Sequence, residues 1–272
     1  MTSLRIATVP YANALPLIWG IEKRLQYLEP SRMADALRRG ELDGGLVPIA
    51  EVLAHDGYEI VDGCAIASDG EVKSVLMAYE PPIEKLTSVA VDPASRTSVA
   101  LLRVLLKELH GIEPPFKRVG QASSLSIAEK GQPGWLSCLD AQACLLIGDR
   151  ALKFLWTQEA LPENRRLQIL DLGAAWKQLA GLPFVFAVWA FRKSLLDVET
   201  ANMLRTAKSN GLAHIKDLVA SKPADQREFW REYFTKNIRY DLGTKEKQAI
   251  EKFRELLAKS GEKMEGGGLR YL

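Results

Sequence analysis

The sequence predicts an α/β protein, and three observations carry that class. Short apolar runs alternate with amphipathic ones as far as about residue 190, and Gly, Pro, Ser and Asp cluster between them. Hydrophobic residues make up 47% of the 272, enough for one large core or for two lobes.

The elements follow in order. Residues 4–9 form a short apolar strand; Pro16 then suits an early helical position, and 17–25 continues with amphipathic spacing. Ser31 is placed to cap a helix over 32–39, which Gly40 stops. Residues 45–47 read as a buried strand running into Pro48 and a helix over 49–54, while 58–61 and 72–79 are extended. Such strand and helix units in the first eighty residues imply a mainly parallel sheet covered by helices.

The middle repeats the theme. A buried strand over 88–92 leads through a short turn into a helix over 99–109, followed by a strand near 117–119, a helix over 124–130 and a strand over 143–147. Gly148-Asp149-Arg150 turns into a helix over 151–156; 168–172 is a strand, 174–179 a helix ended by Gly181, and 184–191 a long apolar strand. From about Leu196 only helices follow, over 198–219, 225–236 and 244–259, with charged stripes that read as solvated faces. Gly266-Gly267-Gly268 reads as a flexible tail, since no helix follows it as in a phosphate loop.

One large sheet or two lobes would accommodate this order. Pro81-Pro82 favours two lobes, because proline is poor inside either element and common in stiff connectors. On that reading residues 1–82 and 190–272 form one lobe and 83–189 the other, with a ligand cleft between them. Ligands of open α/β sheets bind beyond the carboxyl ends of strands, so Val9-Pro10-Tyr11-Ala12-Asn13, Val47-Pro48-Ile49, residues 92–98 and Gly148-Asp149 should converge there.

Several function classes are excluded. Lys and Arg number 36 against 34 Asp and Glu, so no global basic field argues for nucleic acid. Cys64, Cys138 and Cys144 lack CxxC spacing and neighbouring histidines, which argues against a disulfide framework or zinc site and for buried reduced thiols. No signal-peptide pattern opens the sequence and no apolar run reaches the roughly 18–20 residues that span a bilayer; a cytoplasmic protein without membrane contact is expected. Neither GxGxxG after a strand nor a Walker A motif marks a nicotinamide, flavin or nucleotide site, and the cysteine and histidine positions mark no metal site.

The most informative stretch is the helix start Ser95-Arg96-Thr97-Ser98. Free backbone N–H groups at a helix start, with hydroxyls and a guanidinium, make a site for a carboxylate or phosphate. The same side chains also serve as ordinary caps, and Arg96 as a surface charge. Asp92 and Asp149 suit either acid–base work or turn and cap positions; Tyr11 and Trp189 either line a site or fill the core. His55, His110 and His214 lie in helical contexts away from the strand tips, so no histidine-based triad is expected.

Six motifs fall in the same order as in one known family. Arg5-Ile-Ala-Thr-Val-Pro-Tyr11-Ala-Asn13-Ala-Leu-Pro16-Leu17, Gly40-Glu-Leu-Asp43-Gly-Gly-Leu-Val-Pro48 and Val72-Lys73-Ser74-Val-Leu are the first three. Asp92-Pro-Ala-Ser95-Arg96-Thr97-Ser98, Leu145-Leu-Ile-Gly148-Asp149-Arg150-Ala-Leu and Gly181-Leu-Pro183-Phe-Val-Phe-Ala-Val-Trp189 complete the set. Together they resemble chorismate dehydratases of the futalosine route to menaquinone, over about residues 4–192, with Tyr240-Asp241-Leu242-Gly243 similar beyond that. Family members usually carry Ser-Tyr-Leu-Asn-Thr where this chain has Pro10-Tyr11-Ala12-Asn13-Ala14, so two hydroxyls are missing while the asparagine is kept. The sister dihydroxynaphthoate synthase usually opens on Pro-Cys-Pro-Asn-Asp, which is absent here.

The resemblance implies a two-lobed fold of the type II periplasmic-binding-protein kind. It also implies a cofactor-independent hydro-lyase that takes the dicarboxylate chorismate to 3-[(1-carboxyvinyl)oxy]benzoate. Transport receptors and anion sensors share the fold, so the alternative is a small-anion solute-binding or sensor protein, or the sister dihydroxynaphthoate synthase. Carried onto this chain, Asn13 and Ser74 are the catalytic candidates, although Asn13 also suits a helix cap and Ser74 an ordinary strand position. Tyr11, Pro48, Ile49, Ser95, Arg96, Thr97, Ser98, Gly148 and Asp149 are the substrate-binding candidates. Neither Asn nor Ser is a base near neutral pH; the family suggests that the enolpyruvyl carboxylate of the substrate takes the proton while the protein orients it.

Overall fold

A computed structural model describes residues 4–92, 95–118, 141–262 and 268–272. The chain forms two compact units, Met1–Asp69 with Leu182–Leu272, and Gly70–Gly181. In chain order the first unit opens with β1 (Ile6–Thr8), β2 (Leu25–Tyr27), α1 (Pro30–Arg38), β3 (Gly44–Pro48), α2 (Ile49–Ala54) and β4 (Tyr58–Ser68). The second holds β5 (Val75–Tyr79), β6 (Val89–Val91), α3 (Arg96–His110), β7 (Phe116–Arg118), β8 (Ala143–Ile147), α4 (Asp149–Glu159), β9 (Gln168–Asp171) and α5 (Leu172–Ala180). The chain then returns to the first unit with β10 (Phe184–Arg192), α6 (Val198–Ala213), α7 (Ile215–Ala220), α8 (Arg227–Glu232), α9 (Thr244–Lys259) and β11 (Arg270–Tyr271).

The first unit is built on a six-stranded sheet of order β11-β4-β10-β3-β1-β2. β1 runs parallel to β2 and β3, whereas β10 runs antiparallel to both of its neighbours, β3 and β4. Covered on both faces, β10 is apolar almost throughout, and Phe184, Val188, Trp189, Ala190 and Phe191 are buried. The rim is fixed by charge: the Arg5 guanidinium donates to both carboxylate oxygens of Asp43 and to the Gly40 carbonyl.

The second unit is built on a five-stranded sheet of order β7-β6-β8-β5-β9. β6 runs parallel to β7 and β8, while β5 runs antiparallel to β8 and β9. Leu76, Ala78, Ala90, Cys144, Leu146, Ala151 and Phe154 form its core between the sheet and α4. α3 buries Leu101, Leu102, Val104, Leu105 and Leu106 along one stripe and ends at Gly111 in the left-handed conformation.

Several expectations are corrected. The sheets are mixed instead of mainly parallel, because β5 and β10 each enter antiparallel to the strands around them. Division falls at Asp69/Gly70 and Gly181/Leu182, not at 82/83 and 189/190. Pro81-Pro82 follows β5, whose partners β8 and β9 place it in the second unit. Residues 17–25 form no long helix: a 3-10 turn over Ala12–Leu17 is followed by Gly20 at φ +82, a conformation that interrupts right-handed helix. Pro30 starts α1 with Glu29 as cap, so Ser31 lies inside the helix. The expected helix over 198–219 is broken at His214, and 225–236 divides among a 3-10 turn, α8 and a π turn over Tyr233–Asn237. The helix expected at 124–130, Cys138 and most of the 266–268 tail lie outside the described residues. No helix among the described residues is long and apolar enough to cross a membrane.

Candidate active site

In the second unit three strand ends meet at one edge of the sheet. Val75 at the start of β5 lies opposite Ile147 at the end of β8, and β6 runs beside β8 with Val89 and Ala90 opposite Ala143 and Cys144. This register brings Ser74, Asp92 and Gly148 to neighbouring positions. The Gly148 N–H donates to the Ser74 carbonyl at 2.8 Å, and Arg150 Nη1 lies 3.6 Å from Asp92 Oδ2. Gly148 adopts φ +60 and ψ −144, which favours glycine, and α4 begins at the exposed Asp149.

α3 begins at the same edge. The Ser95 N–H donates to the Asp92 carbonyl at 3.0 Å, and the Ser95 carbonyl accepts from Val99 N–H at 2.9 Å. Ser95 is the cap residue, yet its hydroxyl makes no capping bond; Ser95 Oγ is buried without a partner. Thr97 and Ser98 are buried and Arg96 is half-buried in the first turn. Ser74 is 1% exposed and its Oγ likewise has no hydrogen-bond partner. A buried hydroxyl left unpaired costs about 1–3 kcal/mol, which a hydrogen bond to a ligand would offset at each.

In the first unit the carboxyl ends of β1, β3 and β4 share an edge. Ile6 pairs with Gly44, Pro48 with Ala187, and Ser68 with Phe184. Tyr11 precedes the 3-10 turn over Ala12–Leu17, and its hydroxyl donates to Glu29 Oε2 at 2.6 Å. The cap position of this turn is Tyr11, so Asn13 is not a cap; its Oδ1 is buried and unpaired. Pro48 and Ile49 are buried at the junction of β3 and α2. Thr8 Oγ1 and Ser68 Oγ, at the ends of β1 and β4, are also buried without partners, as is the indole N–H of the fully buried Trp189.

The candidates therefore separate by unit. Tyr11, Asn13, Pro48 and Ile49 belong to the first, and Ser74, Ser95, Arg96, Thr97, Ser98, Gly148 and Asp149 to the second. Ser74, expected in the same lobe as Asn13, is placed with the α3 start because β5 pairs with β8. Sequence reasoning missed Thr8 and Ser68, which look like ordinary strand residues, and Asp171. The Asp171 carboxylate accepts from the N–H groups of Val72, Lys73 and Ala174. Burial raises its pKa above the ordinary value even though these three donors pull it down. The available signal was an Asp immediately before a helical run.

Other chemistry lies elsewhere. His55 contacts Arg38 and Glu51, His110 faces Glu84, and His214 stacks on Trp19 at 4.8 Å. Among the described residues no group of three His, Cys, Asp or Glu side chains is arranged to hold a metal ion. Cys64 and Cys144 are free and buried, and burial pushes their thiols up to about 11 and about 12.

Residues 4–259 match the family described as menaquinone biosynthesis. The chain is 30% identical to the chorismate dehydratase of Thermus thermophilus, covering 91% of this chain and 92% of that protein. It is 26% identical to the chorismate dehydratase of Campylobacter jejuni, covering 89% and 88%. In fold it is similar to the periplasmic aliphatic sulphonate binding protein of Escherichia coli, with a TM-score of 0.62 at 14% identity over 96% of this chain and 94% of that one.

Proposed function

We propose that this chain, which belongs to the menaquinone-biosynthesis family, is a chorismate dehydratase. The observation that carries the reading is a sequence likeness to such an enzyme that runs through nearly the whole of both chains. It converts chorismate to 3-[(1-carboxyvinyl)oxy]benzoate and water. One ring C–H bond breaks, its electron pair becomes ring π density, the neighbouring C–O bond breaks, and the hydroxyl leaves with the proton as water. The balance needs no electron acceptor, so the protein is a hydro-lyase working without a redox cofactor.

The side chains suit orientation more than proton abstraction. Asn13 and Ser74 offer an amide and a hydroxyl, neither a base near neutral pH, and the enolpyruvyl carboxylate of the substrate takes the ring proton. The α3 start, with Ser95, Arg96, Thr97 and Ser98, binds a substrate carboxylate; each charge-assisted hydrogen bond contributes about 1.5–3 kcal/mol. Gly148 and Asp149 complete that end, and Tyr11, Pro48 and Ile49 are further substrate-binding residues. Rate acceleration then comes from proximity and from stabilising the charge that develops as the hydroxyl departs.

Incubating the purified protein with chorismate alone tests this reading. The expected result is loss of the mass of one water with the appearance of an aromatic product, unchanged after dialysis against a chelator. Tight binding of chorismate without conversion would leave a solute-binding protein instead.

A further inference from the structure

We infer that Asp171 is a positioning residue for Ser74: its carboxylate clamps the turn that carries this serine and so fixes the direction of the Ser74 hydroxyl. The inference rests on the chorismate reading for the step that Ser74 serves. Its structural part stands on the turn alone.

The turn is strained and needs holding. Lys73 adopts φ +59, a left-handed conformation that non-glycine residues rarely take. The Ser74 N–H folds back to the Val72 carbonyl at 2.7 Å, closing a three-residue turn around Lys73. Such conformations persist only where the surroundings over-determine them. Asp171 provides that restraint, taking the Val72 N–H at 3.0 Å and the Lys73 N–H at 2.8 Å. The carboxylate is itself fixed, because the Ala174 N–H at the start of α5 donates to it at 3.0 Å. On the far side the Ser74 carbonyl accepts from Gly148. The backbone of Ser74 is thus restrained on both sides, while its hydroxyl is buried without a protein partner.

Two functions of Asp171 can be separated by substitution. Serine caps a helix about as well as aspartate, yet one short hydroxyl cannot also span the Val72 and Lys73 amides, so Asp171→Ser keeps the α5 cap and removes the clamp. Asparagine keeps the shape but turns an N–H towards one of the donors.

The test compares wild type, Asp171→Ser, Asp171→Asn, Ser74→Ala and the double variant Ser74→Ala/Asp171→Ser on chorismate. Misplacing a catalytic group by about 1 Å can cost on the order of a hundredfold, so Asp171→Ser should lower kcat by about that factor with little change in KM. In the Ser74→Ala background the same substitution should cost little more. Equal losses in both backgrounds would overturn the inference and leave the functional reading intact. Amide exchange at Val72 and Lys73 in the unliganded protein gives a readout that needs no turnover. Exchange should be faster in both Asp171 variants, and unchanged protection would overturn the clamp. Should the wild type fail to convert chorismate, the functional reading falls and the exchange result alone decides the clamp.

Discussion

The Ser74 turn and the Asn13 segment each present a buried polar atom without a protein partner, yet they are held by different physics. Ser74 follows a left-handed residue; the Val72 and Lys73 N–H groups just before it donate to the Asp171 carboxylate, and its own carbonyl accepts from the Gly148 N–H. Asn13 lies in a 3-10 turn restrained by close packing. There α6 brings Gly211 so near to Pro16 that an added Cβ would lie 2.1 Å from the Pro16 carbonyl oxygen. One support responds to charge and the other to volume, so substitutions that disturb one should leave the other alone.

The largest effect expected is on turnover. Ser74→Ala and Asn13→Ala should each lower kcat by roughly 10²–10³-fold, the cost of losing one donor aimed at developing charge. Melting temperatures should hold or rise slightly, because each substitution removes a buried polar atom that has no protein partner; parallel losses of Tm and kcat would mark both residues as structural. Gly211→Ala strikes the steric support and should cost up to about 3 kcal/mol in urea unfolding, with a loss of turnover through the Asn13 segment. Amide exchange at Val72 and Lys73 should stay unchanged in that variant.

Tyr11→Phe is gentler. It removes one hydrogen bond to the Glu29 carboxylate, worth about 1.5–3 kcal/mol, and should lower Tm by a few degrees while the ring keeps its place. Asp43 lies apart from both supports and provides a control of the opposite sign to Asp171. Hydrogen bonding from Arg5 holds the Asp43 carboxyl below its ordinary value of 3.8. A depressed carboxylate contributes stability that is present above its unfolded value and is lost as pH falls through the folded one. The Tm gap between wild type and Asp43→Asn should therefore be small but measurable at neutral pH and should close as the pH falls below 3.8.

What the sequence disclosed was local. The β3 to α2 junction, the Ser95 helix start and the bounds of α9 were legible because caps, glycines and apolar spacing act within a few residues. The placement of Ser74 was not, since it depends on β5 pairing with β8 and β9, many residues further along. Pro81-Pro82 pointed to a crossing because proline excludes helix and strand equally, whether the turn joins two units or lies within one. Asp171 was readable only as a cap; its other partners, Val72 and Lys73, are 99 and 98 residues earlier. Thr8 and Ser68 gave no signal because burial of a hydroxyl is a tertiary property.

The interrupted first unit has a consequence for how this chain acquires its structure. β10 lies between β3 and β4, so neither strand has its inner neighbour until a segment more than a hundred residues later has been made. Gly70–Gly181, by contrast, is one stretch of chain whose described strands pair only with one another. During synthesis the second unit can close first, while β3 and β4 wait with apolar edges unmatched. The slow step of folding should then be insertion of β10, and substitutions in Phe184–Arg192 should slow refolding more than equally destabilising ones in β8.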